Sequence, residues 1–74
     1  MTKLPRVTGK QVVRTFEHMG FQVLRSRGSH TFLKHPDGRL TVIPVHSGEI
    51  IGPGLLRTIL RQAQVSVEDL VRHL

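Results

Sequence analysis

The sequence has no cysteine, no tryptophan and no tyrosine, and only five acidic residues. Without cysteine there is no disulfide staple, no thiolate nucleophile and no cysteine-type zinc site. That composition fits a reducing compartment such as the cytoplasm. No apolar run approaches the roughly 20 residues needed to span a bilayer. The stretch from Met1 to Arg6 carries some positive charge but no apolar segment behind it, so it does not read as a secretory signal. The chain therefore reads as soluble and cytoplasmic. Its three aromatic residues, Phe16, Phe21 and Phe32, are all expected in the core, which leaves no ring for stacking on nucleobases.

Length sets the next limit. At 74 residues the chain reads as a single domain over 1–74, and a domain of this size buries only about 60% of its unfolded surface. A deep cavity is excluded, so an active site should be a shallow groove suited to a large substrate. What is abundant is positive charge. Eleven Lys and Arg against five Asp and Glu give a net +6, and the five histidines add more below neutral pH. Charge serving only solubility mixes the two signs more evenly. An excess of this size points to nucleic acid, an anionic membrane or an acidic protein.

The order of elements follows from punctuation and periodicity. Thr8 and Gln11 form a capping-box pattern, and Val12, Val13, Phe16 and Met19 then recur at helical spacing, with Lys10, Arg14, Glu17 and His18 on the other side. Gly20 ends this helix. A strand over 21–25 alternates Phe21 and Val23 against Gln22 and Leu24, and a turn over 26–29 leads into a second strand over 30–34. His35-Pro36-Asp37-Gly38 marks the next turn. A third strand over 40–45 contains Pro44, which has no amide donor and places this strand at a sheet edge. A glycine-containing loop over 47–54 follows. Pro53 opens a second helix, whose apolar face is Leu55, Leu56, Ile59, Leu60 and Ala63. Ser66 and Asp69 cap a short last helix with Val67, Leu70, Val71 and Leu74 inward.

The expected fold is thus α+β, in the order α-β-β-β-α with a short extra C-terminal helix. One three-stranded antiparallel sheet would carry its helices on one face. Double-stranded-RNA-binding domains have this arrangement, though a fold alone does not set function.

The residues suited to chemistry cluster at Arg25-Ser26-Arg27-Gly28-Ser29-His30. Two guanidinium forks can grip phosphates, Gly28 permits close approach of a nucleic-acid backbone, and Ser29 belongs to the same turn. Cleaving RNA without a metal requires a base for the 2′-hydroxyl, an acid for the leaving 5′-oxygen, and cations for the developing charge. Histidine suits either proton transfer, and arginine or lysine supplies the electrostatic part. Against this, His30 shares strand parity with Phe32, expected in the core, so a half-buried structural histidine is the competing reading. His46 is a possible second participant. His35 reads as ending a strand, and His18 and His73 as helix-surface residues. No spacing of His, Asp or Glu marks a metal site, Asp37 is explained by its turn, and no cofactor is expected. Further RNA contacts are expected from Lys10 and Arg14, four apart on the first helix, from Lys34, and from Arg57 and Arg61, four apart on the second. The segment 52–54 before them would offer helix-start amides to a phosphate.

Taken together, Gly28-Ser29-His30-x-x-Leu33, His35-Pro36-Asp37-Gly38, Pro44-Val45-His46 and the segment Pro53-Gly54-x-Leu56-Arg57-x-Ile59-Leu60-Arg61-Gln62-Ala63 resemble the HicA family in the same order. The resemblance runs from Thr8 to Leu70. It implies a double-stranded-RNA-binding-like fold, endoribonuclease activity on messenger RNA, and inhibition by an acidic antitoxin of the HicB kind. The family's catalytic histidine carries over onto His30. Many members have a second histidine directly after it, where this sequence has Thr31.

The expected protein is a metal-independent endoribonuclease with His30 as general base or acid. A non-catalytic double-stranded-RNA-binding module using the same surface is the alternative. A protein-interaction domain whose basic face meets only an acidic partner is a third reading.

Overall fold

The computed structural model describes residues 2–74. Its elements are α1 (Gly9–His18), β1 (Gln22–Arg27), β2 (His30–Lys34), β3 (Leu40–Pro44), α2 (Pro53–Ala63) and α3 (Val67–His73). The strands form one antiparallel sheet in the order β1-β2-β3. This is the α-β-β-β-α order expected, with α3 as the extra helix, and β3 with its Pro44 is indeed an edge.

Local chemistry fixes the helix starts. Thr8 Oγ1 accepts from the Gln11 amide at 3.2 Å, and Gln11 Oε1 accepts from the Thr8 amide at 2.8 Å, which completes the capping box. Pro53 occupies the first turn of α2 after the N-cap Gly52. Ser66 Oγ accepts from the Asp69 amide at 3.0 Å and opens α3. The segment before α1 is tied down by an antiparallel bridge between Thr8 and Ile50 and by donation from the Ile51 amide to the Val7 carbonyl, 2.8 Å. No local pattern of residues marks this tie.

One face of the sheet is covered. Thr31 and Leu33 of β2 and Thr41 and Ile43 of β3 are buried beneath the helices. The fully buried side chains are Val12 and Phe16 of α1, Leu33 and Ile43 of the sheet, Leu56 and Ile59 of α2, and Leu70 of α3.

This parity corrects the expectation for β2. The expectation puts Phe32 inward, and the competing reading of His30 half-buries it on the same side. Instead Leu33 and Thr31 take the inward positions, Phe32 is only partly buried, and His30 is exposed. Each parity of β2 carries one large apolar side chain, so alternation could not choose between them. Other apolar residues also stand outside the core. Val23 and Leu24 are 41% and 57% exposed, and Leu55, Val71 and Leu74 are exposed as well. The alternation expected for the first strand fails because two residues oppose one between Val23 and Arg25, forming a bulge.

The β1–β2 turn is tighter than expected. Arg27 pairs with His30, so only Gly28 and Ser29 connect the strands. Gly28 has φ +56°, the positive φ at the first of two turn residues that hairpins of type II′ require. Gly9 is special for another reason. A Cβ there would fall on the carbonyl oxygen of Pro44, so glycine lets the start of α1 rest directly on the end of β3.

His35 and Arg39 lock the β2–β3 turn to the helices. His35 Nε2 donates to the Met19 carbonyl at 3.2 Å, and its ring meets Phe21 edge-on at 5.0 Å. Arg39 lies over the Phe21 ring at 5.1 Å, pairs with Asp37 at 2.9 Å, and donates to the Ala63 carbonyl at 2.7 Å.

Candidate active site

The uncovered face of the sheet presents His30, Phe32 and Lys34 from β2. Register places Arg27 opposite His30, Arg25 opposite Phe32 and Pro44 on the other side of His30. Directly opposed residues in an antiparallel pair have Cβ atoms about 5 Å apart. Arg27 and His30 are therefore neighbours by backbone geometry, whatever rotamers they adopt.

His30 lines a groove of about 310 Å³ with Val42 and Pro44 of β3 and Leu55, Thr58, Ile59 and Gln62 of α2. Leu55, Thr58 and Gln62 recur at three- and four-residue intervals, so they form one stripe of α2 that overlooks the open face along the β3 edge. Two of them are held by hydrogen bonds. Thr58 Oγ1 donates to the Gly54 carbonyl at 3.2 Å, and Gln62 Oε1 accepts from Thr41 Oγ1 at 3.1 Å. Among the described residues the His30 ring makes no hydrogen bond, in contrast to His35, whose two ring nitrogens are both engaged. A histidine free on an open, cation-flanked groove can exchange protons with a bound substrate.

The other expected site residues divide by position. Arg25, Arg27, Gly28, Ser29 and Lys34 belong to the same hairpin as His30. A Cβ at Gly28 would meet nothing within 4 Å, so the turn is open to a large ligand. Lys34 is four residues along β2, on the order of 13 Å from His30. Lys10 and Arg14 are exposed on α1, whose first residue rests on Pro44, the pairing partner of His30. Arg57 and Arg61 are exposed on α2 but do not line the His30 groove, and they leave that helix on a different flank from the stripe. His46 is exposed just beyond β3, where the Val45 amide donates to the Ser29 carbonyl at 2.6 Å. Thr31 is buried on the opposite side of the sheet, so its position cannot face the same ligand as His30.

A family model described as the HicA toxin of bacterial toxin–antitoxin matches residues 9–65. The chain belongs to the HicA toxin family. No curated protein matches it. Members of the HicA family are RNA-cutting toxins, so the chain is at family level a toxin of the endoribonuclease kind with an antitoxin as its counterpart. The matched region runs from the first residue of α1 to Val65 and contains the whole hairpin, the groove and the α2 stripe. The last helix, α3, falls outside it, although Leu70 is fully buried in the same core. No helix among the described residues is long and apolar enough to cross a membrane.

Sequence reading missed Phe32, Val42, Leu55, Thr58 and Gln62 as parts of this surface. The one available signal was Leu55, which lies at the rim of the apolar arc of α2 rather than at its centre.

Proposed function

We propose that residues 1–74 act as one cytoplasmic, metal-independent endoribonuclease domain that cuts messenger RNA, with His30 as general acid or base. The observation that carries this reading is the exposed His30 in a groove directly opposite Arg27. In the reaction, the 2′-oxygen of a ribose attacks the adjacent phosphorus as its proton passes to a base. The bond from phosphorus to the 5′-oxygen breaks, and that oxygen takes a proton from an acid. The products are a cyclic 2′,3′-phosphate and a 5′-hydroxyl, with no water consumed. His30 performs one of the two proton transfers, and the other is not assigned to a residue.

Arg27 stabilises the developing charge on the phosphoryl oxygens, because a guanidinium offers donors in a fixed fork matched to phosphate. Arg25, Ser29 and Lys34 hold flanking phosphates, and Gly28 allows the backbone to come close. Lys10 and Arg14 extend the cationic surface along α1. Arg57 and Arg61 contribute at longer range, since they stand off the groove. An acidic antitoxin of the HicB kind neutralises the protein by covering this face.

The test is incubation of purified protein with end-labelled RNA in the presence of EDTA, alongside the His30→Ala variant. Cleavage by the first and none by the second is expected. A non-catalytic RNA-binding module would bind the RNA and leave both samples intact.

A further inference from the structure

Beside the His30 groove lies a second one of about 490 Å³, lined by Leu24, Arg25, Phe32, Leu40 and Val42 with Gln62 at its rim. Val42 and Gln62 line both grooves, so the two adjoin. This part of the surface is unlike its surroundings. It is floored by apolar side chains, two of them, Leu24 and Leu40, more than half exposed, yet every charged side chain of the sheet that bears it is cationic. The strands carry Arg25, Arg27 and Lys34, and no acidic residue occurs in any of the three. The bulge in β1 puts both Leu24 and Arg25 against the groove. The Arg25 guanidinium carbon is 5.0 Å from the centre of the Phe32 ring.

Phosphate binding explains the cations but not the apolar floor, since a phosphate gains nothing from Leu, Val or Phe. A nucleobase does. Its faces are apolar and stack on an aromatic ring or a guanidinium plane, while its phosphates need cations on either side. A base inside a duplex has both faces covered by its neighbours and cannot reach such a platform. His30 and Phe32 project from the same face of β2 two residues apart, on the order of 7 Å.

We propose that the Phe32–Arg25 groove is a nucleobase subsite. It takes one unpaired base of the RNA, stacked against Phe32 and Arg25, next to the nucleotide whose phosphate lies at His30. The substrate is then single-stranded at the point of cleavage, despite the likeness of the fold to duplex-binding domains. Gln62, whose Oε1 is engaged by Thr41, has its amide nitrogen left to donate to the edge of a base at the seam of the two grooves. This inference rests on the RNA-cutting reading above and adds to it the form of the substrate and the residues that hold it.

The experiment uses the His30→Ala protein, so that RNA is bound and not cut. The probe is a short single-stranded RNA carrying 2-aminopurine in place of one base at successive positions, with the matching duplex as comparison. Stacking on Phe32 should change the fluorescence at one position in the single strand and at none in the duplex. Adding Phe32→Leu should weaken single-strand binding roughly ten- to a hundredfold, and Phe32→Tyr, which keeps the ring, should restore it. Equal binding and equal fluorescence with Phe32→Leu would overturn the subsite and leave the RNA reading standing, as would tighter binding of the duplex. Loss of binding to an acidic protein partner, with RNA binding unchanged, would assign the groove to that partner and also overturn the proposal. Failure of the His30→Ala protein to bind any RNA would overturn the functional reading itself.

Discussion

Arg27 and His30 face each other across a two-residue turn, the last pair of the β1–β2 ladder. The arrangement needs no rotamer argument, because hairpin register alone sets it. It joins a permanent cation to a side chain able to donate or accept a proton.

His30→Ala should therefore abolish cleavage, with a loss of at least the 10²–10⁴-fold that acid–base groups typically contribute. Stability should change by no more than about 0.5 kcal/mol, since His30 is exposed and its ring is unbonded among the described residues. Arg27→Ala should lower the rate as well, and Arg27→Lys should recover only part of it, because an ammonium lacks the planar fork. The checks are rates on labelled RNA and thermal melts of the same samples. Wild-type cleavage by His30→Ala would remove His30 from the mechanism.

Cleavage should survive EDTA, and its products should carry 5′-hydroxyl ends that polynucleotide kinase labels without prior phosphatase treatment. Those ends follow from the 2′-oxygen acting as nucleophile. Ends already bearing a 5′-phosphate, or full loss of activity on chelation, would contradict the mechanism proposed for His30.

Much of the fold was legible because its signals are local. The Thr8–Gln11 box, the Pro53 start of α2 and the Pro36-Asp37-Gly38 turn each depend on residues a few positions apart. The strand order and the edge position of β3 followed from short turns and one proline. What was not legible depends on pairing between distant segments. Strand parity at Phe32 and Leu33 was undecided by composition, and the β1 bulge has no sequence mark. The need for glycine at position 9 arises from the backbone of Pro44 and Val45, far along the chain. His30 stands out as the catalytic candidate mainly through family likeness, since local parity alone leaves a half-buried structural histidine as the competing reading. The groove around it was missed because Leu55 and Phe32 both fit the pattern of core residues.

Gly9→Ala should destabilise the protein by about 1–3 kcal/mol, the range for forcing extra volume into a packed contact. The added methyl would meet the Pro44 backbone, not a movable side-chain tip. Relief requires α1 to shift away from β3, which would also move Pro44 beside His30. Denaturant unfolding measures the first effect and RNA-cleavage rate the second. Unchanged stability would show that the helix start adjusts without cost.

Asp37 predicts a loss of stability in acid. Its hydrogen bond from the Arg39 side chain, helped by the Arg39 amide and the charges of Arg39 and His35, holds its carboxyl below the ordinary value. A carboxyl with a depressed folded-state pKa adds stability above its unfolded pKa and loses it as pH falls through the folded one. The effect should therefore fade below about pH 4. Asp37→Asn should flatten that part of the stability–pH curve. Arg39→Ala should cost more, about 1.5–3 kcal/mol, because it also removes the charged donor to the Ala63 carbonyl at the end of α2. A wild-type curve retained by Asp37→Asn would reassign the acid sensitivity to other groups.

Control of the toxin should act at the face that holds His30. The hairpin and the grooves beside it combine Arg25, Arg27 and Lys34 with the exposed Leu24, Leu40 and Leu55, and all six strand residues of β1 are exposed. A partner therefore meets cations for long-range attraction, apolar side chains for short-range adhesion, and an edge strand whose outer backbone groups can pair with a strand of its own. An acidic antitoxin of the HicB kind that docks here would cover His30 and exclude RNA in one step. Association should slow as salt rises, because exposed charges are screened within about 10 Å at 0.1 M. The finished complex should hold, since its apolar contacts are not screened. Co-purification with an acidic antitoxin of the HicB kind, stopped-flow association across a salt series and RNA cleavage by the complex together examine this. The expected results are a stable complex, a falling association rate and no cleavage. Full cleavage by the intact complex would show that the partner binds elsewhere and that occlusion of His30 is not the means of control.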